Sequence, residues 1–329
     1  MQNGRPSILI TGANGFLGSR LCKKFVHEKY KVIAGVRKSA DLSLLERLDI
    51  KFRIGDIKKP ETLSEMVKDV DFIIHNAGLV KAKSIKEFFE VNEQGTKNLF
   101  EAVKNYSPNL KKIIYISSMA ASGPSLNGHP VKESDTSNPI TAYGKSKLAG
   151  EKIALSYKEF FPVVSIRPPG VYGPADKEMF SFFKAVYMRL KPLFGDTSRQ
   201  IQLVHVDDLC RGIFLALGGG KNGEIYFISE NKPYSMKELI KIIEKSSGRS
   251  GMPLYLPSGL FRLMATISEY AGKLVGLSPM LNREKAKELL SSWVVDCSKA
   301  KRDFGYESKI DFSRGTKETY QWYIERGWL

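Results

Sequence analysis

Residues 11–18 read TGANGFLG and follow directly on the apolar run SILI at 7–10. Gly12, Gly15 and Gly18 recur at every third position, between a strand-like run and the helical pattern Phe16–Glu28. In that context each glycine has a physical task. Gly12 permits a tight turn, Gly15 lets backbone approach a pyrophosphate, and Gly18 lets the helix lie close to the sheet, its N-terminus facing the phosphates. No Gly-Lys-Ser/Thr closes the motif, so a Walker-type loop does not fit.

Outward from this turn, short apolar runs alternate with amphipathic stretches. The runs are SILIT (7–11), KVIAGV (31–36), FRIG (52–55), DFIIH (71–75), KIIYIS (112–117) and PVVSIR (162–167). They are rich in Ile and Val at successive positions, as strands buried on both faces require. Helical patterns cover Phe16–Glu28, Leu42–Leu48, Glu61–Val67, Lys86–Asn105 and Ala142–Phe160. The expected fold is α/β, a doubly wound parallel sheet of Rossmann type with right-handed crossovers. Beyond Pro168 the pattern predicts helices at Phe180–Leu190, Asp207–Leu217, Ser235–Lys245 and Ser313–Arg326, with strands at 202–206 and 224–229. Residues 1–167 are therefore read as the dinucleotide-binding domain. Residues 168–329 form a smaller, mainly helical substrate-binding region, with 202–229 returning to the sheet.

The chain has 329 residues, 42% hydrophobic and 26% charged, the composition of a globular protein. Cys22, Cys210 and Cys297 are odd in number and far apart, which fits a reducing compartment. The start MQNGRPSILI has no apolar signal region, and a cytoplasmic location is expected. Charge interrupts every apolar stretch well short of a membrane span, so no stable membrane insertion is expected. The net charge of +16 is spread over scattered lysines without an aromatic-interleaved stripe. It reads as a solvated basic surface, not a nucleic-acid site.

The second strand ends GVRKS (35–39), so Val36 stands where an NAD-specific site carries an acid, and Arg37 and Lys38 follow. A guanidinium grips a 2′-phosphate that a carboxylate would repel, which favours NADP and leaves NAD open. The alternative is a pair of exposed basic residues in a basic protein. In TAYGKSKLAGE (141–151), Tyr143 and Lys147 lie four apart on one helical face. A nearby ammonium would favour the phenolate and bring the tyrosine toward the working range of an acid–base catalyst. Ser118, at the end of the strand KIIYIS, could hydrogen-bond a substrate oxygen beside Tyr143, or be a plain strand-end turn residue. His205 and Asp207-Asp208 sit at a strand-to-helix junction, where capping is the expected role; no metal site and no catalytic role for Cys210 are expected.

Together with GDI (55–57), HNAG (75–78), VNEQGTKNL (91–99), ISS (116–118), RPPGVYGP (167–174) and VHVDDL (204–209), these motifs resemble the extended short-chain dehydrogenase/reductase family, also called the NAD-dependent epimerase/dehydratase family. The resemblance implies Tyr143 as general acid/base and Ser118 as substrate-oxygen ligand. Lys147 would bind the nicotinamide ribose and lower the tyrosine pKa. It implies that Gly12, Gly15, Phe16 and Leu17 surround the pyrophosphate, that Asp56 and Ile57 flank the adenine, and that Ala77-Gly78 line the cleft.

Departures from the family pattern narrow the reading. The dehydratases of this family carry an Asp-Glu pair after the serine or threonine, where this chain has Met119-Ala120. The epimerases commonly carry Asn and Arg on the substrate diphosphate, where it has Gly170 and Ile201, with Arg199 close by. The remainder resembles the branch of dihydroflavonol-type reductases and 3β-hydroxysteroid-type dehydrogenases. The helix at 180–190 could form an apolar substrate wall or simply pack on the core. The stretch 253–276 could be a lid, a membrane-surface helix, or a packed or dimer-forming helix. The expected function is an NADP-preferring oxidoreductase that interconverts a hydroxyl and a carbonyl on a small, largely apolar molecule. An NAD-dependent nucleotide-sugar epimerase using the same Ser-Tyr-Lys set is the alternative, a non-catalytic cofactor-binding protein is a further one, and a homodimer stays open.

Overall fold

Strands with apolar residues at successive positions must be covered on both faces, and the computed structural model shows how; it describes residues 4–126, 128–274 and 281–329. The first half runs β1 (Ser7–Thr11), α1 (Phe16–His27), β2 (Lys31–Val36), β3 (Lys51–Ile54), α2 (Ser64–Val67), β4 (Phe72–His75), α3 (Ile85–Phe89), α4 (Gly95–Tyr106), β5 (Lys112–Ile116), α5 (Ala142–Ser156) and β6 (Val163–Arg167). The second half runs β7 (Gly170–Tyr172), α6 (Phe180–Tyr187), β8 (Leu190–Phe194), β9 (Gln200–Ile201), β10 (Leu203–His205), α7 (Val206–Gly219), β11 (Ile225–Phe227), β12 (Tyr234–Ser235), α8 (Met236–Ser247), β13 (Met252–Leu256), α9 (Ser258–Leu274), α10 (Arg283–Leu289), α11 (Ser298–Phe304) and α12 (Phe312–Glu325).

Seven strands form one parallel sheet in the order β11-β6-β5-β4-β1-β2-β3. Side chains alternate between its faces. Along β1, Ile8 and Ile10 enter the core under α1 and α7, and Leu9 enters the opposite core under α2 and α4. A third core, built from α6, α8, α9 and α12, belongs to the second half of the chain. The strand order reverses between β1 and β4, and a crevice opens at such a switch point beyond the C-terminal strand ends.

Several elements differ from the sequence reading, for local reasons. The pattern at 42–48 is only a 3₁₀ turn at Ser43–Leu45: Leu45 alone is buried, and one inward residue does not hold a helix. The helix expected at 86–105 is α3 and α4 joined by a π-helical turn at Glu90–Gln94. The helix expected at 180–190 stops at Tyr187; Arg189 takes a left-handed φ of 61°, and Leu190–Phe194 continues as β8. That strand pairs with β13, so the first part of the 253–276 stretch is extended and only Ser258–Leu274 is helical. Residues 275 and 276 lie outside the described residues. Of the 202–229 segment, β11 joins the main sheet beside β6, whereas β10 pairs with β7 in a separate two-stranded sheet. No helix among the described residues is long and apolar enough to cross a membrane.

One buried ion pair fixes α5 to the sheet. Glu151 receives two bonds from the Arg167 guanidinium, at 2.5 and 3.0 Å, and one from Ser165 at 2.8 Å. Both side chains are almost wholly buried, so removing either leaves an uncompensated charge. Glu151→Ala is expected to lower the unfolding free energy by about 3–5 kcal/mol. Urea denaturation measures this, and a loss under about 1 kcal/mol, as for a surface pair, would refute the role given to the pair.

Candidate active site

The glycine turn lies at the switch point, at the end of β1. Gly12 has φ of 64°, and a Cβ there would lie 2.9 Å from the Ala77 Cα, so the turn takes glycine on both counts. Gly15 donates to the Gly12 carbonyl at 3.1 Å and then serves as the N-cap of α1 with no side chain of its own. Gly18 lies so close to this turn that a Cβ would sit 2.1 Å from the Gly12 oxygen. The first intrahelical bond runs from the Ser19 amide to the Gly15 carbonyl. The amides of Phe16, Leu17 and Gly18 therefore have no acceptor within the helix, and the positive end of its dipole points into the crevice. This donor set fits the pyrophosphate of a dinucleotide.

Beside the turn, Arg37 and Lys38 follow β2, both exposed. After β3, Asp56 Oδ1 accepts from the Lys58 amide at 2.9 Å, and Ile57 is buried against Gly95. The loop after β4 brings Ala77 against Gly12 and Gly78 toward Lys147: a Cβ on Gly78 would lie 3.6 Å from Lys147 Nζ.

A buried hydrogen-bond chain holds that loop. Thr11 Oγ1 accepts from the amides of Asn76 (3.1 Å) and Ala77 (3.0 Å), which leaves its own proton for His75 Nδ1 at 2.9 Å. The ring is thereby the Nε2–H tautomer, and Nε2 donates to Thr96 Oγ1 at 3.1 Å. Thr96 in turn donates to the Asn92 carbonyl at 2.8 Å. The Asn92 side chain holds both backbone groups of Leu79 and donates to Ser146 Oγ on α5 at 2.9 Å. Burial pushes His75 down to about 3, with the Lys147 ammonium acting in the same direction, so the ring stays neutral.

The start of α5 lies on the turn that follows β5. Thr141 caps the helix through the Gly144 amide at 3.0 Å, and a Cβ on Gly144 would lie 2.3 Å from the Ala120 oxygen. That approach sets the half-buried Tyr143 near Ser118, whose side chain acts to lower the phenol pKa and whose Oγ accepts from the Ala120 amide at 3.1 Å. One turn on, Lys147 is buried and donates to the Ile116 carbonyl at 2.6 Å, with its ammonium 4.6 Å from the centre of the Tyr115 ring. Burial lowers Lys147 to about 8, while Glu151 acts the other way, so at neutral pH most molecules carry the ammonium.

Tyr143 departs from expectation. Burial lifts its phenol to about 12 against the lowering bond from Ser118, and the carboxylates of Glu288 and Glu178 add to the rise. Lys147, turned to the Ile116 carbonyl, does not bring it down. The structure therefore presents a protonated phenol and an ammonium side by side, an arrangement able to donate a proton to a bound oxygen.

Ser118, Tyr143 and Lys147 lie together at the mouth of the crevice, beside Gly78. The helix α6 packs in the third core: Phe183 and Val186 are buried there, and Phe180 packs edge-on to Tyr323 and Trp328 at 5.1 and 5.4 Å. The roof is α10, whose Glu284 accepts from the Ala142 amide at 2.8 Å; the sequence offered no periodic signal for that contact. Thr11, Asn92 and Ser146 also went unassigned, although HNAG and VNEQGT spell out two parts of their network. His205 caps α7 by accepting from the Asp207 amide at 3.3 Å, Asp207 pairs with Arg20 at 2.7 Å, and burial pushes the Cys210 thiol well up.

Residues 8–229 match the model of the NAD dependent epimerase/dehydratase family. The chain is 27% identical to a ceramide reductase of Caulobacter vibrioides, over 99% of this chain and 97% of that one. It is 28% identical to a UDP-glucose 4-epimerase of Vibrio cholerae (97% and 96%) and 26% identical to a 2-alkyl-3-oxoalkanoate reductase of Shewanella oneidensis (94% and 84%). Its structure superposes on that of the dTDP-glucose 4,6-dehydratase of Streptomyces venezuelae, solved with NAD bound, with a TM-score of 0.79 and 25% identity over 98% of each chain. This enzyme is a member of the NAD-dependent epimerase/dehydratase family of extended short-chain dehydrogenases/reductases.

Proposed function

We propose that the enzyme is an NADP-preferring oxidoreductase that interconverts a hydroxyl and a carbonyl on a largely apolar organic molecule. The observation that carries this reading is the protonated Tyr143 phenol near Ser118, with the Lys147 ammonium one helical turn on and Met119 and Ala120 where an eliminating enzyme would carry acids. A nicotinamide dinucleotide, when bound, supplies or accepts the hydride. The first-turn amides of α1 would hold its pyrophosphate, with Asp56 and Ile57 on the adenine side and Ala77-Gly78 along the cleft. Ser118 Oγ would orient the substrate oxygen. Tyr143 Oη would give that oxygen its proton in reduction and take it back in oxidation, with Lys147 on the nicotinamide ribose. Residues 168–329, which reach the site through α10, would supply the substrate side.

The apolar substrate class is supported by Gly170 and Ile201, which replace the polar residues expected to meet a diphosphate, and by relatives that include reductases of a ceramide and of 2-alkyl-3-oxoalkanoates. The second reading is a nucleotide-sugar epimerase with tightly held NAD, favoured by the Vibrio cholerae relative at a similar identity.

Tyr143→Phe is expected to lower kcat by at least about 100-fold in carbonyl reduction, with the Kd for cofactor changed less than about threefold. Retained turnover would refute the mechanism. The exposed Arg37 and Lys38 support a 2′-phosphate site. NADPH is therefore expected to bind more tightly than NADH, with Arg37→Ala weakening NADPH about tenfold and leaving NADH almost unchanged. Fluorescence titration measures both, and tighter NADH binding by the unmodified enzyme would overturn the cofactor assignment.

A further inference from the structure

The helix α9 has apolar residues on two opposite faces. Phe261 and Ala265 point inward, and the Phe261 ring stacks on Phe194 at 4.4 Å. Leu260, Leu263, Met264 and Ile267 follow the 3–4 residue spacing of the other face and are 43–59% exposed. The strand β13 that leads into α9 carries exposed Met252, Leu254 and Tyr255. Among the described residues, eight of the nineteen exposed large apolar side chains fall within residues 252–270. This is a local concentration on one short segment of the chain, unlike the single apolar residues scattered over most surfaces.

Its charge identifies the occupant. Residues 245–262 carry Lys245, Arg249 and Arg262 and no acid, and exposed Arg189 lies against Gly251 at the start of β13. The acids that flank this stretch in sequence are paired, Glu244 with Lys191 at 2.8 Å and Glu269 with Arg283 at 3.0 Å, and Asp196, beside β13, is the exposed acid that adjoins it. An apolar face with a basic rim matches an anionic bilayer, into which the apolar side chains dip while guanidinium groups reach lipid phosphates. A second copy docked through the same face would oppose arginine to arginine, on a chain whose net charge is already +16.

We infer that the β13–α9 face is a peripheral membrane-docking surface for anionic phospholipid. The patch also lies close to the chemistry. Glu269 on α9 is bonded to Arg283 at the start of α10, and the next residue, Glu284, holds the amide beside Tyr143. A bilayer seated there would lie next to the roof of the active site, where a lipid-soluble substrate would arrive. The docking surface itself does not depend on that substrate reading.

The test is flotation of the full chain with vesicles of phosphatidylcholine alone or with one-third phosphatidylglycerol, alongside the variant Leu263→Glu/Ile267→Glu. Both positions are exposed, so the variant is expected to fold, and its circular dichroism and cofactor affinity check this. The expected result is flotation with the phosphatidylglycerol vesicles, at least about tenfold weaker with the neutral vesicles, in 0.5 M salt and in the variant. Absence of flotation by the unmodified chain, or undiminished flotation of the variant, would overturn the proposal. So would a stable dimer in light scattering that the variant dissociates, since the face would then be an interface between two copies.

Discussion

The buried hydrogen-bond chain through His75 is the constraint on which the rest of the active site depends. Two backbone amides of the loop after β4 converge on Thr11, and Thr11 has one proton left to give. That proton fixes the tautomer of the ring and with it the Nε2–H bond to Thr96, whose own proton goes to the Asn92 carbonyl, while the Leu79 backbone orients the Asn92 amide toward Ser146. Each donor has an acceptor, and a buried group left without one would cost about 1–3 kcal/mol. The chain thus ties β1, the β4 loop, the π-helical turn and α5 into one rigid unit. A protonated ring would need a second acceptor in place of its donor at Thr11, and burial keeps it neutral with a pKa of about 3.

Around that unit the two halves of the site carry different electrostatics. The glycine turn presents amides and a helix N-terminus, which suit an anion. The α5 side presents a phenol raised to about 12 and an ammonium lowered to about 8, both protonated at neutral pH. Burial drives both shifts, and in opposite directions, because it disfavours the phenolate and the ammonium alike. The close contact of Gly144 with the Ala120 oxygen sets where the phenol lies, and the Glu151–Arg167 pair holds the same helix to β6.

The parallel sheet and its glycine turn were legible because both leave periodic or steric marks: doubly buried strands read as unbroken Ile/Val runs, and the close approach at Gly12 accepts only glycine. Ser118, Tyr143 and Lys147 could be named from spacing and family resemblance, and the structure brings them together. What escaped the sequence is what depends on tertiary contact. The apolar residues of α6 were equally consistent with a substrate wall and a core, and only tertiary contact shows Phe180 packed on Tyr323 and Trp328. The strand β8 was hidden by a helical pattern that ends at the left-handed Arg189. The elevation of Tyr143 depends on burial and on Glu178 and Glu288, far away in sequence.

As proposed, the Ser118–Tyr143–Lys147 set performs net reduction or oxidation with an exchanging cofactor. The most direct measurement is turnover of a carbonyl substrate with NADPH deuterated at the transferring position of the nicotinamide. Each released alcohol is expected to carry one deuterium, with one cofactor oxidised per product. An enzyme isolated with bound NAD that interconverts two isomers, with no net cofactor oxidation and no deuterium in the product, would contradict the proposal.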